Sequence, residues 1–222
     1  MKPIRGPIQN SVILIIGLIV FLSLSISCSK SKPEITYGFI GLVCYQEEKG
    51  FQERFSFFII PDDEDGIENL DELYLYNDRE QLRWLIKSED WVSFTRDETT
   101  WIGTRSIAIQ DDESLPRGQY RAVLVNKGGE SSEKNFSFDA EVRFPYPSLE
   151  ITDGRYTINS SWPNNRLTCY DNEGKFVTIV ELQALSGTVA SLGIPSNVRT
   201  VALWAEDPAY FCSAYTYVAP VR

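Results

Sequence analysis

The hydrophobic positions of this chain form one unbroken run near its start and many short runs after it. Residues 12–24 carry no charge, and Lys2 and Arg5 precede them. As a helix these thirteen residues would rise about 20 Å, which is short of the roughly 30 Å hydrocarbon core of a bilayer. The pattern therefore predicts the apolar region of a secretory signal, which is removed on export, and not a permanent membrane span.

The end of this run has the layout of a lipid-attachment site. Ser27 is a small residue that directly precedes Cys28, and a polar Ser-Lys-Ser-Lys stretch follows. These residues resemble the signals of bacterial lipoproteins, in which the cysteine is acylated and becomes the mature N-terminus. The resemblance implies an anchor of palmitate-type chains on Cys28, since two or more chains give stable attachment. The alternatives are an ordinary secretion signal with an incidental cysteine, or an uncleaved anchor.

Beyond the signal, aromatic and β-branched residues recur in short runs between turn residues, a pattern typical of antiparallel strands. Residues 37–45 and 55–60 are the first two such runs, and Asn77-Asp78 has the composition of a hairpin turn. Residues 115–120 then read Leu-Pro-Arg-Gly-Gln-Tyr. This segment resembles the tyrosine corner of immunoglobulin-like and fibronectin-type sandwiches, which implies that the Tyr120 hydroxyl bonds to backbone a few residues upstream.

The predicted fold class is all-β, with two β-sandwich-like, immunoglobulin-like domains after the N-terminal lipoprotein signal peptide. Phe144-Pro145-Tyr146-Pro147 is a stiff, extended stretch, because each proline fixes φ and disfavours helix before it. We take it as the domain boundary. The predicted division is a signal peptide at 1–27, a lipidated tether at 28–34, an immunoglobulin-like domain at 35–143, a linker at 144–147 and a smaller β domain at 148–222.

Two of the cysteines suggest a disulfide bond in the smaller domain. In an oxidising compartment, Cys169 and Cys212 would form a disulfide worth about 4 kcal/mol if their strands are neighbours. Cys44 would then be left as a buried apolar side chain. The rival pairing of Cys44 with either of the others would tie the two domains together, and the sequence leaves it open.

Charge and residue types exclude several functions. The net charge is -10, and loss of residues 1–27 removes two positive charges and no negative ones, which leaves about -12. Such an acidic body disfavours nucleic-acid binding, which depends on Lys and Arg. The chain has no histidine, so most hydrolase triads and the commonest metal ligand are absent. We expect no catalytic residues, no metal and no cofactor, although carboxylate pairs and Ser-Lys dyads need no imidazole.

Two features are candidate ligand contacts. Asp62, Asp63 and Asp65 lie in an acidic segment that lacks the spaced pattern of a calcium loop, so we interpret it as a solvated loop able to contact a basic partner. Most of the five tryptophans should be structural in a sandwich, and Trp162, beside Pro163-Asn164-Asn165, is expected to be the most exposed.

These observations favour a non-enzymatic, membrane-anchored lipoprotein of the cell envelope that binds another envelope protein or has a structural role. We expect it on the cell membrane or outer membrane, facing the periplasm or the exterior. The alternative is a carbohydrate-binding protein or a carboxylate-dependent enzyme acting on glycans.

Overall fold

The computed structural model describes residues 31–109 and 113–221, so the predicted signal peptide and the predicted lipidation site Cys28 lie outside the described residues. The described chain is almost entirely β, which confirms the predicted fold class. In this part of the chain no helix has the length and apolar character needed to cross a bilayer. The helical segments of residues 31–109 and 113–221 are four 3₁₀ turns: Ile67–Asn69, Ser88–Asp90, Val189–Leu192 and Pro208–Tyr210. The strands are β1 Glu34–Glu47, β2 Gly50–Asp62, β3 Leu70–Asn77, β4 Leu82–Lys87, β5 Val92–Arg96, β6 Thr99–Ile107, β7 Gly118–Asn126, β8 Ser131–Phe138, β9 Ser148–Thr152, β10 Arg155–Asn159, β11 Asn164–Tyr170, β12 Phe176–Glu181, β13 Ser186–Thr188, β14 Thr200–Asp207, β15 Cys212–Tyr215 and β16 Ala219–Pro220.

The strands form three sheets arranged as two sandwiches. A nine-stranded sheet has the order β12-β11-β14-β15-β1-β2-β6-β5, with β16 paired to β14. The four-stranded sheet β4-β3-β7-β8 covers one end of its inner face, and the three-stranded sheet β13-β10-β9 covers the other. The first core includes Phe55, Phe57 and Leu75, whereas the second includes Tyr156 and Leu203.

The nine-stranded sheet is continuous because β1 and β15 pair with each other. Leu42 pairs with Cys212 and Tyr45 with Tyr215 in parallel register, whereas the other pairings among the described strands are antiparallel. Ala214 and Trp162, from the C-terminal part of the chain, also belong to the first core. We call the β1–β15 pairing the seam, because the two sandwiches share it.

The tyrosine corner is present. The Tyr120 hydroxyl donates a 2.7 Å hydrogen bond to the carbonyl oxygen of Pro116, which confirms the contact that the resemblance implied. The Tyr120 ring is buried and packs edge-on against Phe55. Gly118, at the start of β7, has φ 125°, a conformation that disfavours residues with a Cβ.

The predicted Cys169–Cys212 disulfide is wrong. The three cysteines of the described residues, Cys44, Cys169 and Cys212, are free thiols. β14 lies between the strands of Cys169 and Cys212. Cys169 pairs with Val201 near one end of β14, and Cys212 pairs with Asp207 at the other. Since a disulfide requires Cα atoms within about 7 Å, the two cysteines cannot be joined in this fold.

Candidate ligand-binding surface

The outer face of the nine-stranded sheet carries a concave surface. Because side chains alternate along a strand, Leu42 and Cys44 of β1 point into the first core, and Val43 and Tyr45 point to the opposite face. There they border a depression of about 790 Å³ that crosses the seam. We call it the aromatic trough. Its lining includes Phe39, Gly41, Val43, Tyr45, Ser56, Phe58, Phe94, Arg105, Thr168, Tyr170, Phe176, Ile179, Trp204, Glu206, Phe211, Ser213 and Tyr215.

One side of the trough is a stack of three rings on three neighbouring strands. Trp204 of β14 lies parallel to Tyr215 of β15, with ring centroids 5.8 Å apart and an interplanar angle of 8°. Tyr215 in turn stacks on Tyr45 of β1 at 5.4 Å and 15°. We call these three residues the aromatic ladder. Cross-strand aromatic pairs of this kind stabilise a sheet, and here two of the three rungs form part of the seam.

An arginine covers each end of the aromatic ladder. The Arg166 guanidinium carbon lies 4.9 Å from the Trp204 ring centroid, and that of Arg54 lies 5.1 Å from the Tyr45 centroid. Arg166 pairs with Glu206 at 3.0 Å, and Arg54 pairs with Glu47 at 2.8 Å. The ring faces are therefore occupied, and the ladder offers a ligand ring edges and paired charges.

A second group of rings lies toward β5 and β6. Phe39 is the centre of this aromatic patch, with ring centroids 5.7 Å from Trp101, 6.0 Å from Phe58 and 6.3 Å from Phe211. Small residues separate the patch from the ladder. These are Gly41 of β1, Ser56 of β2 and Ser213 of β15, all of which line the trough.

Arg105 of β6 is the exposed cation of the trough. Its guanidinium carbon lies 6.0 Å from the Phe58 ring centroid, and within the described residues it has no carboxylate partner at ion-pair distance. Burial raises the pKa of Tyr45 and that of Tyr215, and the positive charge of Arg105 opposes both increases. Arg105 thus places positive charge near two rungs of the aromatic ladder.

Trp162 does not contribute to this surface. It is 3% exposed, and its indole nitrogen donates a 2.9 Å hydrogen bond to the carbonyl oxygen of Pro145. The prediction that it is the most exposed tryptophan is wrong. The polar Asn164 and Asn165 that follow it begin β11 and do not form an exposed loop tip, and the Trp162 side chain packs in the first core. Trp101 and Trp204 are the tryptophans on the outer face of the sheet, and both are partly exposed.

The acidic segment after β2 is also separate from the trough. Asp63 Oδ1 accepts hydrogen bonds from the Asp65 backbone nitrogen at 2.9 Å and from Asn69 Nδ2 at 3.2 Å. Asp62 and Asp65 are exposed. In residues 31–109 and 113–221 no three His, Cys, Asp or Glu side chains are placed to hold a metal ion. The carboxylate of Asp63 therefore organises its own loop.

The sequence contained one signal for the trough. Residues 39–45 read Phe-Ile-Gly-Leu-Val-Cys-Tyr, which is apolar at nearly every position. Such continuity is typical of a strand that is covered on both faces. The aromatic rungs on β14 and β15, however, join it only through the seam.

Comparisons with known proteins give solved structures of low sequence identity and low TM-score. No protein-family model matches the chain. No curated protein matches it either. Among solved structures, Tp47, the 47-kilodalton lipoprotein of Treponema pallidum, is 12% identical with a TM-score of 0.42, and the match covers 84% of this chain and 50% of that one. Latent PorU from Porphyromonas gingivalis is 14% identical with a TM-score of 0.30, over 84% of this chain and 20% of that one. Murine CEACAM1b is 8% identical with a TM-score of 0.25, over 83% and 99%. The chain thus spans half the length of the treponemal lipoprotein and a fifth of PorU.

Proposed function

We propose that this chain is a non-enzymatic lipoprotein of the cell envelope, anchored through Cys28, that binds another envelope protein in the aromatic trough. The observation that carries the binding role is the trough itself. It is a concave aromatic depression of about 790 Å³ that spans the seam. A surface of this size and apolar character is a typical place for a ligand.

The contacts of Ser31, the first described residue, support attachment close to a membrane. The Ser31 carbonyl oxygen accepts a 2.8 Å hydrogen bond from Asn126 Nδ2, and the Ser31 hydroxyl lies 3.3 Å from Asp63 Oδ1. Ser31 is three positions after Cys28, and three residues span at most about 10 Å. A lipid on Cys28 would therefore hold the first sandwich against the bilayer surface.

The chemistry of the trough favours a protein over a glycan. Tyr, Trp, Phe and Arg are the residue types enriched in protein interfaces and in their energetic hot spots. Sugar binding by stacking requires exposed ring faces. In the aromatic ladder those faces are covered by Arg54, by Arg166 and by the neighbouring rings.

The distribution of carboxylates supports a binding role over glycoside hydrolysis. Glycosidases of the usual kind need two carboxyl groups about 5 to 10 Å apart across the bond that is cleaved. Of the described residues that line the trough, Glu206 is the one carboxylate, and it is paired with Arg166.

Site-specific photo-crosslinking in the native cell tests the proposal and does not require the partner to be identified first. A benzophenone amino acid replaces Ser213 in the trough, and in the control it replaces Thr157, an exposed residue of β10 on the three-stranded sheet. We expect irradiation to give a discrete protein adduct from position 213 and none from position 157. The adduct should weaken when Trp204→Ala is added. Equal labelling from both positions, or no protein adduct at 213, would refute trough binding.

A further inference from the structure

The seam brings two cysteines from distant parts of the chain together. Cys44 of β1 pairs with Ala214 of β15, and Cys212 lies two residues before Ala214. Because alternate residues share a face, both thiols point into the first core, where both are buried. Diagonal neighbours on adjacent strands have Cα atoms about 7 to 8 Å apart and Cβ atoms somewhat closer, so a bridge requires a small shift of one strand toward the other.

The two thiols affect each other's ionisation. The proximity of the two side chains raises the pKa of Cys44 and lowers the pKa of Cys212. The Tyr146 hydroxyl, 3.9 Å from the Cys44 sulfur, lies beside the same pair. The two thiols therefore lie close enough in the folded chain to affect each other's ionisation.

We propose that Cys44 and Cys212 form a disulfide in the exported protein and covalently join the two sandwiches across the seam. This proposal rests on the export part of the proposed function, because thiols are kept reduced in the cytoplasm. It is independent of ligand binding in the trough. It also assigns the pairing that the sequence left open, with Cys169 as the unpaired thiol.

The bond forms by exchange with an oxidised thiol–disulfide oxidoreductase of the envelope or with a low-molecular-weight disulfide. One of the two protein thiolates attacks one sulfur of the oxidant, which forms a mixed disulfide and releases one oxidant thiolate. The other protein thiolate then attacks the protein sulfur of that mixed disulfide and releases the second. The two protein thiols lose two electrons and two protons, and the oxidant disulfide becomes two thiols. Since both cysteines are buried in the folded chain, we place this step before β15 closes the seam.

Differential alkylation of the full chain purified from envelopes tests the pairing. The protein is unfolded in acid and alkylated without reduction, and its peptides are analysed by mass spectrometry. We expect Cys169 to be alkylated, and Cys44 and Cys212 to appear as one cross-linked peptide that reduction separates. The Cys212→Ser variant should leave Cys44 open to alkylation, and the control Cys169→Ser should leave the cross-link unchanged. Reduction of the wild-type protein should lower its thermal midpoint by on the order of 10 °C.

Alkylation of all three cysteines without reduction, in protein whose N-terminal peptide carries lipid on Cys28, would overturn the proposal. If the N-terminal peptide instead retains the signal, export has failed. The pairing is then decided by oxidising the reduced, unfolded chain with oxidised glutathione during refolding. A Cys44–Cys212 cross-link in that reaction supports the pairing, and its absence refutes it.

Discussion

Arg117 of the tyrosine-corner loop should contribute strongly to stability. Its guanidinium donates to both Glu53 oxygens at 2.8 Å and to the Ala140 carbonyl oxygen at 2.6 Å. The guanidinium carbon also lies 4.9 Å from the Phe138 ring centroid. The Glu53 side chain is 12% exposed, so Arg117→Ala would leave a mostly buried carboxylate with the backbone nitrogen of Leu115 as its remaining hydrogen-bond donor among the described residues.

The size of this effect follows from the burial of the pair. Removal of one partner from a buried ion pair costs about 3 to 5 kcal/mol. Because the Arg117 side chain is 31% exposed, solvent screens part of the interaction, and we expect a loss of about 2 to 4 kcal/mol in the free energy of unfolding. For a chain of this size the melting temperature should fall by about 5 to 15 °C.

Arg121, on β7 just after this loop, provides a matched control. Arg121 forms a similar bidentate ion pair with Asp78, in which both nitrogen–oxygen distances are 3.0 Å. Its guanidinium carbon lies 4.6 Å from the Tyr76 ring centroid. Asp78 is 63% exposed, so Arg121→Ala should cost less than about 1 kcal/mol. Urea unfolding followed by tryptophan fluorescence measures both variants. Equal losses for Arg117→Ala and Arg121→Ala would refute the argument from burial.

Four further predictions concern other parts of the chain. Tyr120→Phe removes the bond to the upstream carbonyl and should cost about 1 to 3 kcal/mol in urea unfolding, with an unchanged circular dichroism spectrum. Gly103→Ala should prevent folding or lower the melting temperature by more than about 10 °C, because a Cβ there would overlap the Phe57 carbonyl oxygen; wild-type-like melting would contradict this. Burial raises the pKa of Tyr215 above its unfolded value, so its stabilisation is present below about pH 10 and is lost as the pH rises; Tyr215→Phe should reduce this alkaline loss in pH-dependent melting. Cys28→Ala should shift the protein from the membrane to the soluble fraction, and unchanged partitioning would remove the lipid anchor from the proposed function.

Short-range features were the ones that the sequence could predict. The tyrosine corner depends on residues four positions apart, and its Leu-x-x-Gly-x-Tyr spacing identifies it directly. The all-β class follows from local alternation and from the turns. Each of these features is settled within a few residues of the chain.

Long-range pairing was the part that the sequence could not predict. No local pattern shows that β15 lies beside β1, so the aromatic ladder and the Cys44–Cys212 contact were not visible. The same lack of strand order led to the wrong cysteine pair. Trp162 was misjudged for a related reason, because its polar neighbours suggested a loop tip while its indole packs beside Phe144 in the first core. Burial of a single side chain depends on tertiary packing, which local composition does not report.

The seam has a consequence for how this chain could be divided or recombined. A fragment ending near residue 143 would leave β1 with an open edge and would remove Ala205, Cys212 and Ala214 from the first core. Open, apolar strand edges invite intermolecular pairing, so such a fragment should aggregate instead of folding alone. The two sandwiches should therefore fold only as a pair, unlike tandem modules that can be exchanged one at a time.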